Sequence, residues 1–185
     1  MKKLLPVVCV GALVVGACGG TVDEASPDVS VPFSADAPSG EMVELSVPSG
    51  EIVLTIDGAG RPNVGDQVQL DIEGIESLGT ATVTLYEPFL NADLEMTGVS
   101  VDTFLEAAGI GPDDLIEWIA IDDYRVGYNR AEAAAENAIL ATRIDGEPIG
   151  IADGGPVRVV FPSPDGDLAR DTTQWIWSLS RIEVG

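Results

Sequence analysis

Apolar and polar positions alternate with a period of two over several short runs bounded by Gly, Pro and Asp, at residues 43–47, 52–56, 68–72, 82–86, 116–121, 139–144, 157–161 and 176–184. Alternation of this kind, rich in β-branched residues, predicts strands. One stretch switches to a helical period. After Ser100, an N-cap residue type, Val101, Phe104, Leu105 and Ala108 fall on one face, and Gly109 ends the run. Residues 130–137 predict a second, weaker helix. Strands and helices do not alternate regularly, so the fold class is α+β, mostly β with one or two short helices.

The N-terminus has a different pattern. Lys2 and Lys3 precede an almost unbroken apolar stretch from Leu4 to Val15, which closes with Val15-Gly16-Ala17-Cys18. About twelve apolar residues make a helix of roughly 18 Å, well short of the ~30 Å core of a bilayer. The layout predicts a removable export signal over residues 1–17. Val-Gly-Ala-Cys resembles the bacterial lipobox, which implies that Cys18 is acylated, with palmitate among the chains, and becomes the first mature residue. Several acyl chains, each contributing ~0.8 kcal/mol per buried CH₂, anchor a protein to a membrane without further apolar sequence. Residues 18–41, rich in Gly, Ser, Pro, Asp and Ala, read as a flexible acidic tether, and residues 42–185 have the length of one domain. The expected location is extracytoplasmic, on the cell membrane or the outer membrane. Gly19 lacks the aspartate character that favours inner-membrane retention and so leans outward.

Charge narrows the range of partners. Without residues 1–17 the chain has seven arginines and no lysine against 31 carboxylates, a formal charge of −24. Nucleic acid and anionic head groups need clustered Lys and Arg, so neither is expected as a partner. There is no histidine, and Cys9 leaves with the signal, so Cys18 is the whole thiol inventory. No disulfide can form within the mature chain. Zinc, copper and haem sites draw on His or Cys and are disfavoured, and Ser-His-Asp and Cys-His catalysis are excluded. Asp165-Gly166-Asp167 and Asp122-Asp123 lack calcium-loop spacing, and Gly58-Ala59-Gly60 lacks the downstream glycine of a dinucleotide motif.

Three stretches carry a resemblance. Thr97-Gly98-Val99-Ser100-Val101-Asp102-Thr103-Phe104-Leu105-Glu106-Ala107-Ala108-Gly109 comes first, followed by Asp122-Asp123-Tyr124. The third is Ile144-Asp145-Gly146-Glu147-Pro148-Ile149, which leads to Gly154-Gly155-Pro156-Val157-Arg158-Val159-Val160-Phe161-Pro162. In this order and spacing they resemble the molybdopterin-binding oxidoreductase domain of sulfite oxidases and the methionine-sulfoxide reductase catalytic subunit. The resemblance implies that fold and a molybdopterin cofactor. It also implies an anion pocket in which Gly154, Gly155 and Arg158 approach the pterin phosphate, although Asp153 stands where many members have histidine. The family's molybdenum-ligand cysteine would fall near Leu85 or Tyr86, where no sulfur is available, leaving only Tyr86 or Glu87 as oxygen substitutes.

Read from the residues alone, Gly154-Gly155-Pro156 is either a turn into a strand or a set of backbone N–H groups that binds a small anion beside the Arg158 fork. Asp122-Asp123-Tyr124 is either an Asx-type turn or a site where Asp123 accepts and Tyr124 donates hydrogen bonds to a ligand. Trp118, Trp175 and Trp177 read as core and sheet-face residues. No catalytic or metal-binding residue is assigned. The expectation is a lipid-anchored binding or sensing module, against a minimal molybdopterin oxidoreductase with an atypical metal site and against a structural envelope protein. A Cys18→Ser variant is expected to leave the membrane fraction and to lose labelling by palmitate. Label retained on that variant would place the lipid elsewhere.

Overall fold

The computed structural model describes residues 43–185. The export signal, Cys18 and the tether lie outside the described residues. Two five-stranded sheets make up the domain. The first contains β1 (Leu54–Asp57), β2 (Val68–Leu70), β5 (Ile116–Ala120), β6 (Arg125–Gly127) and β10 (Leu179–Val184), in the order β2-β1-β10-β5-β6. The second contains β3 (Ala81–Glu87), β4 (Ala92–Ser100), β7 (Ile139–Ile144), β8 (Glu147–Pro148) and β9 (Arg158–Val160). It runs β3-β4-β7-β8, with β9 also paired to β7. The helices are α1 (Ile72–Glu76), α2 (Val101–Ala107), α3 (Arg130–Ala135) and α4 (Asp167–Arg170). The α+β, mostly β expectation holds.

Most expected strands form, with two differences at the start. Residues 43–47 pair with no strand, although Val43 and Leu45 still pack against the core. The strand expected over residues 68–72 stops at Leu70 because Asp71 caps α1 instead. One Asp71 carboxylate oxygen accepts Gly74 N–H at 2.8 Å, and the other accepts Ser49 and Gly50 N–H at 2.8 and 2.7 Å.

The longest strand, β4, was not anticipated, because its outward positions, Asp93 and Glu95 among them, make the segment look like a polar loop. Its inward residues Leu94 and Met96 pack on or in the core. A register shift between Thr97 and Gly98 marks a bulge where β4 crosses β7. A Cβ at Gly98 would lie 2.2 Å from the Leu140 carbonyl oxygen, so the backbones approach as closely as only glycine allows. From Gly98 the chain runs directly into α2. Ser100 occupies the N-cap position without a side-chain cap, and Val101 N–H bonds to Ala138 O at 2.9 Å. Asn129 and Glu132 form a full capping box on α3. Trp118 and Phe104 are among the largest fully buried side chains. Among the described residues no helix is long and apolar enough to cross a membrane.

The N–H groups of Gly50 and Gly74, then that of Ser49, hold the Asp71 carboxyl below its ordinary value against the opposing effect of burial. Its contribution to stability is therefore fully present above the unfolded carboxyl value and is lost as pH falls through the folded one. Asp71→Ala is expected to cost about 1–2 kcal/mol at neutral pH, the range for a lost N-cap. The gap from the parent should close on acidification in denaturant unfolding. A pH-independent gap would show that the carboxylate charge is irrelevant.

Candidate functional site

The turn before β9 is built from backbone bonds. Residues 151–153 form one 3-10 turn, which Gly154 ends at φ +80, a left-handed conformation that suits glycine. Gly154 N–H bonds to Ile151 O at 3.1 Å and Gly155 N–H to Gly150 O at 2.8 Å. A Cβ on Gly155 would lie 2.0 Å from Ile149 O, which explains the glycine there without a ligand. Both N–H groups are used inside the turn, so they do not form with Arg158 the anion pocket considered from the sequence.

Arg158 points into the domain and its side chain is 0% exposed. Its Nη2 pairs at 3.1 Å with Glu87, whose side chain is also 0% exposed. The guanidinium lies 4.1 Å from the centroid of the Trp177 ring, and Nη1 makes a long 3.5 Å contact to the Asp153 carbonyl oxygen. The second Glu87 oxygen accepts Leu90 N–H at 2.6 Å. Burial pulls Arg158 below its ordinary value, and the Glu87 charge works against that pull. Arg158 Nε and Trp177 Nε1 have no hydrogen-bond partner but are closed off from solvent, so neither presents a donor at the surface.

Arg158 stands out in the sequence, whereas its partner Glu87 does not. The signal was present in β3, where Thr82, Thr84 and Tyr86 face outward while Leu85 and Glu87 are buried. A carboxylate at the inward end of an alternating strand needs a cation.

Asp122, Asp123 and Tyr124 form the turn between β5 and β6. Asp122 accepts Tyr124 N–H at 3.1 Å, and Asp123 adopts φ +65. The Tyr124 hydroxyl donates to Thr173 O at 2.6 Å, so its proton is committed to the protein rather than offered to a ligand. This bond turns the Tyr124 ring into one wall of a cleft of about 330 Å³, with Phe89, Trp175 and Trp177 as the other aromatic walls and Asp122 and Thr172 on its polar side. Asp123, the acceptor expected from the sequence, does not line it. Trp118 stacks on Tyr128 in the core, and Trp175 is buried with its indole N–H on Ala169 O. Trp177 is the wall shared with a neighbouring hollow of about 250 Å³ that also includes Asp122 and Ile151.

Residues 48–183 match the family model described as the oxidoreductase molybdopterin binding domain. The chain belongs to this family. No curated protein matches it. Among solved structures it is similar to the crystal structure of the sulfane dehydrogenase SoxCD from Paracoccus pantotrophus, with a TM-score of 0.53 and 17% identity. That match covers 71% of this chain and 37% of the other, so this molybdopterin-domain chain spans well under half the length of that relative.

The residues present do not fit the family's metal and pterin phosphate. The described residues contain no cysteine or histidine and no group of three or more acidic side chains placed to hold a metal. Of the two oxygen substitutes considered for the thiolate, Tyr86 faces outward with its hydroxyl on Asn91, and Glu87 is taken by Arg158 and Leu90. Among the described residues, six of the seven arginines form ion pairs with carboxylates, and Arg61 donates to the Glu106 carbonyl. At Arg158 a phosphate would have to displace Glu87.

Removing one partner of a buried ion pair leaves an uncompensated charge, which costs about 3–5 kcal/mol, whereas apolar replacement of both is often near neutral. Glu87→Leu and Arg158→Met are each expected to destabilise by about that amount in denaturant unfolding, and the double variant by much less than their sum. Additive losses would show that the two groups are not coupled.

Proposed function

We propose that this is a lipid-anchored extracytoplasmic protein that uses the molybdopterin-oxidoreductase fold as a binding module and performs no molybdenum redox chemistry. The observation that carries the reading is the Glu87–Arg158 pair. At the end of β3, next to the Leu85 and Tyr86 positions where the family resemblance puts the metal thiolate, an inward carboxylate neutralises the arginine that the resemblance assigns to the pterin phosphate. The cation and a carboxylate beside the metal-ligand position thus satisfy each other, and Trp177 covers the guanidinium.

Export and anchoring rest on the signal-like residues 1–17 and on Cys18, whose acylation would leave the mature protein without a free thiol. The aromatic cleft beside Trp177 is the ligand site in this reading. Its size and its mostly apolar lining with one carboxylate are those of a small-molecule pocket.

Protein purified from its natural export route is expected to contain no molybdenum above background by elemental analysis and no pterin fluorescence after denaturation. Stoichiometric molybdenum with pterin would overturn the reading in favour of a minimal oxidoreductase.

A further inference from the structure

We propose that the cleft between the β3–β4 turn and the β5–β6 turn binds a small organic cation with a methylated, quaternary ammonium head group. The proposal rests on the binding-module reading and adds the chemical class of the ligand.

The walls of the cleft set its shape and polarity. Four aromatic side chains, Phe89, Tyr124, Trp175 and Trp177, line an open cleft of about 330 Å³, room for a small ligand. Phe89 is 56% exposed, unusual for a phenylalanine, and meets Trp177 edge-on at 5.3 Å between centroids. Tyr124, Ile121 and Ile151 are also exposed around the same Trp177 wall. An exposed apolar cluster on a chain this acidic marks a surface with a ligand to cover it.

Charge selects the sign of the ligand. Asp122 lines both the cleft and the neighbouring hollow, and among the described residues no basic side chain lines either one. Among the described residues Asp122 takes part in no ion pair, and its Oδ1 accepts the Tyr124 N–H. Arg158 lies against Trp177, but Glu87 neutralises it there. The cleft therefore favours a cation over an anion.

Hydrogen-bonding capacity selects the kind of cation. A primary ammonium carries three N–H donors and a tightly held hydration shell, so it needs several acceptors in return. Here Asp122 is the one charged acceptor among the described lining residues, and the Tyr124 and Thr173 hydroxyls, which donate to Thr173 O and Asp171, keep only uncharged lone pairs. Aromatic faces and one carboxylate suit a quaternary ammonium, which has no N–H to satisfy and is attracted to ring faces.

The test uses the full chain in a non-ionic detergent at fixed ionic strength, titrated with choline while tryptophan fluorescence and heat are followed. Parallel titrations use the neutral carbon isostere of choline, in which a tert-butyl group replaces the trimethylammonium, and ethanolamine. Choline is expected to saturate the site with affinity about tenfold above the isostere, the size of a cation–π and ion-pair contribution at a partly desolvated site. Ethanolamine should bind more weakly than choline.

Asp122→Asn keeps an acceptor for Tyr124 N–H and is expected to remove most of the preference for choline over the isostere. Phe89→Leu should weaken both ligands. Asp66→Asn, an exposed carboxylate in the turn between β1 and β2, should change neither. Equal binding of isostere and choline, tighter ethanolamine, or no saturable choline signal from protein folded by circular dichroism would each overturn the proposal. Molybdenum analysis of the same preparation separates the two readings. Failed choline binding without molybdenum removes only this ligand, whereas molybdenum with pterin removes the binding-module reading itself.

Discussion

Glu87 and Arg158 lie far apart in a flat version of their sheet. By register Arg158 is level with Ala141, Ala141 with Gly98, and Gly98 with Ala81, at the opposite end of β3 from Glu87. At 3.4 Å per residue along a strand and about 4.8 Å between strands, a flat sheet would hold the two more than about 20 Å apart. They meet at 3.1 Å, so the β3–β4 hairpin curls over until its tip reaches β9. The bulge beside Gly98, where the backbone passes too close to Leu140 for any Cβ, is a place where a strand bends. The ion pair at the far end fastens the curl. Because Leu90 N–H also bonds to Glu87, the same carboxylate fixes the tip that carries Phe89 against Trp177. One buried contact thus shapes the second sheet and closes a wall of the aromatic cleft.

In the proposed reading, the same contact is what lets a molybdopterin-domain fold stand without the family's ligand chemistry. A buried arginine that had lost its phosphate would carry a severe desolvation cost. A carboxylate at the inward end of β3 offsets that cost from within the chain. In the proposed reading the function lies at the turns, where the exposed Phe89 and Tyr124 side chains and Asp122 line the cleft.

Much of this was legible in the sequence, and the failures have physical causes. The period-two runs marked most strands because one face of each is buried, and α2 was visible from its apolar stripe and Gly109. Strand β4 was hidden because its solvent face is acidic, and residues 43–47 alternate like a strand but have no partner edge. Of the turn segments, Asp122-Asp123-Tyr124 proved to be an Asx-type turn, and Gly154 and Gly155 spend their N–H groups internally. Arg158 was recognisable as special, but its partner lies 71 residues away in the chain, and no local pattern reports a pairing produced by sheet curvature. Phe89 and Trp177 join the cleft for the same long-range reason.

Hydrogen exchange at the Arg158 guanidinium reports most directly on whether this ion pair is the buried clasp described. Followed by side-chain NMR against Arg170, whose side chain is 59% exposed, its protons should exchange only as fast as the domain unfolds. Glu87→Gln should make them exchange faster. Arg158 exchanging at the rate of Arg170 in the folded protein would contradict the account.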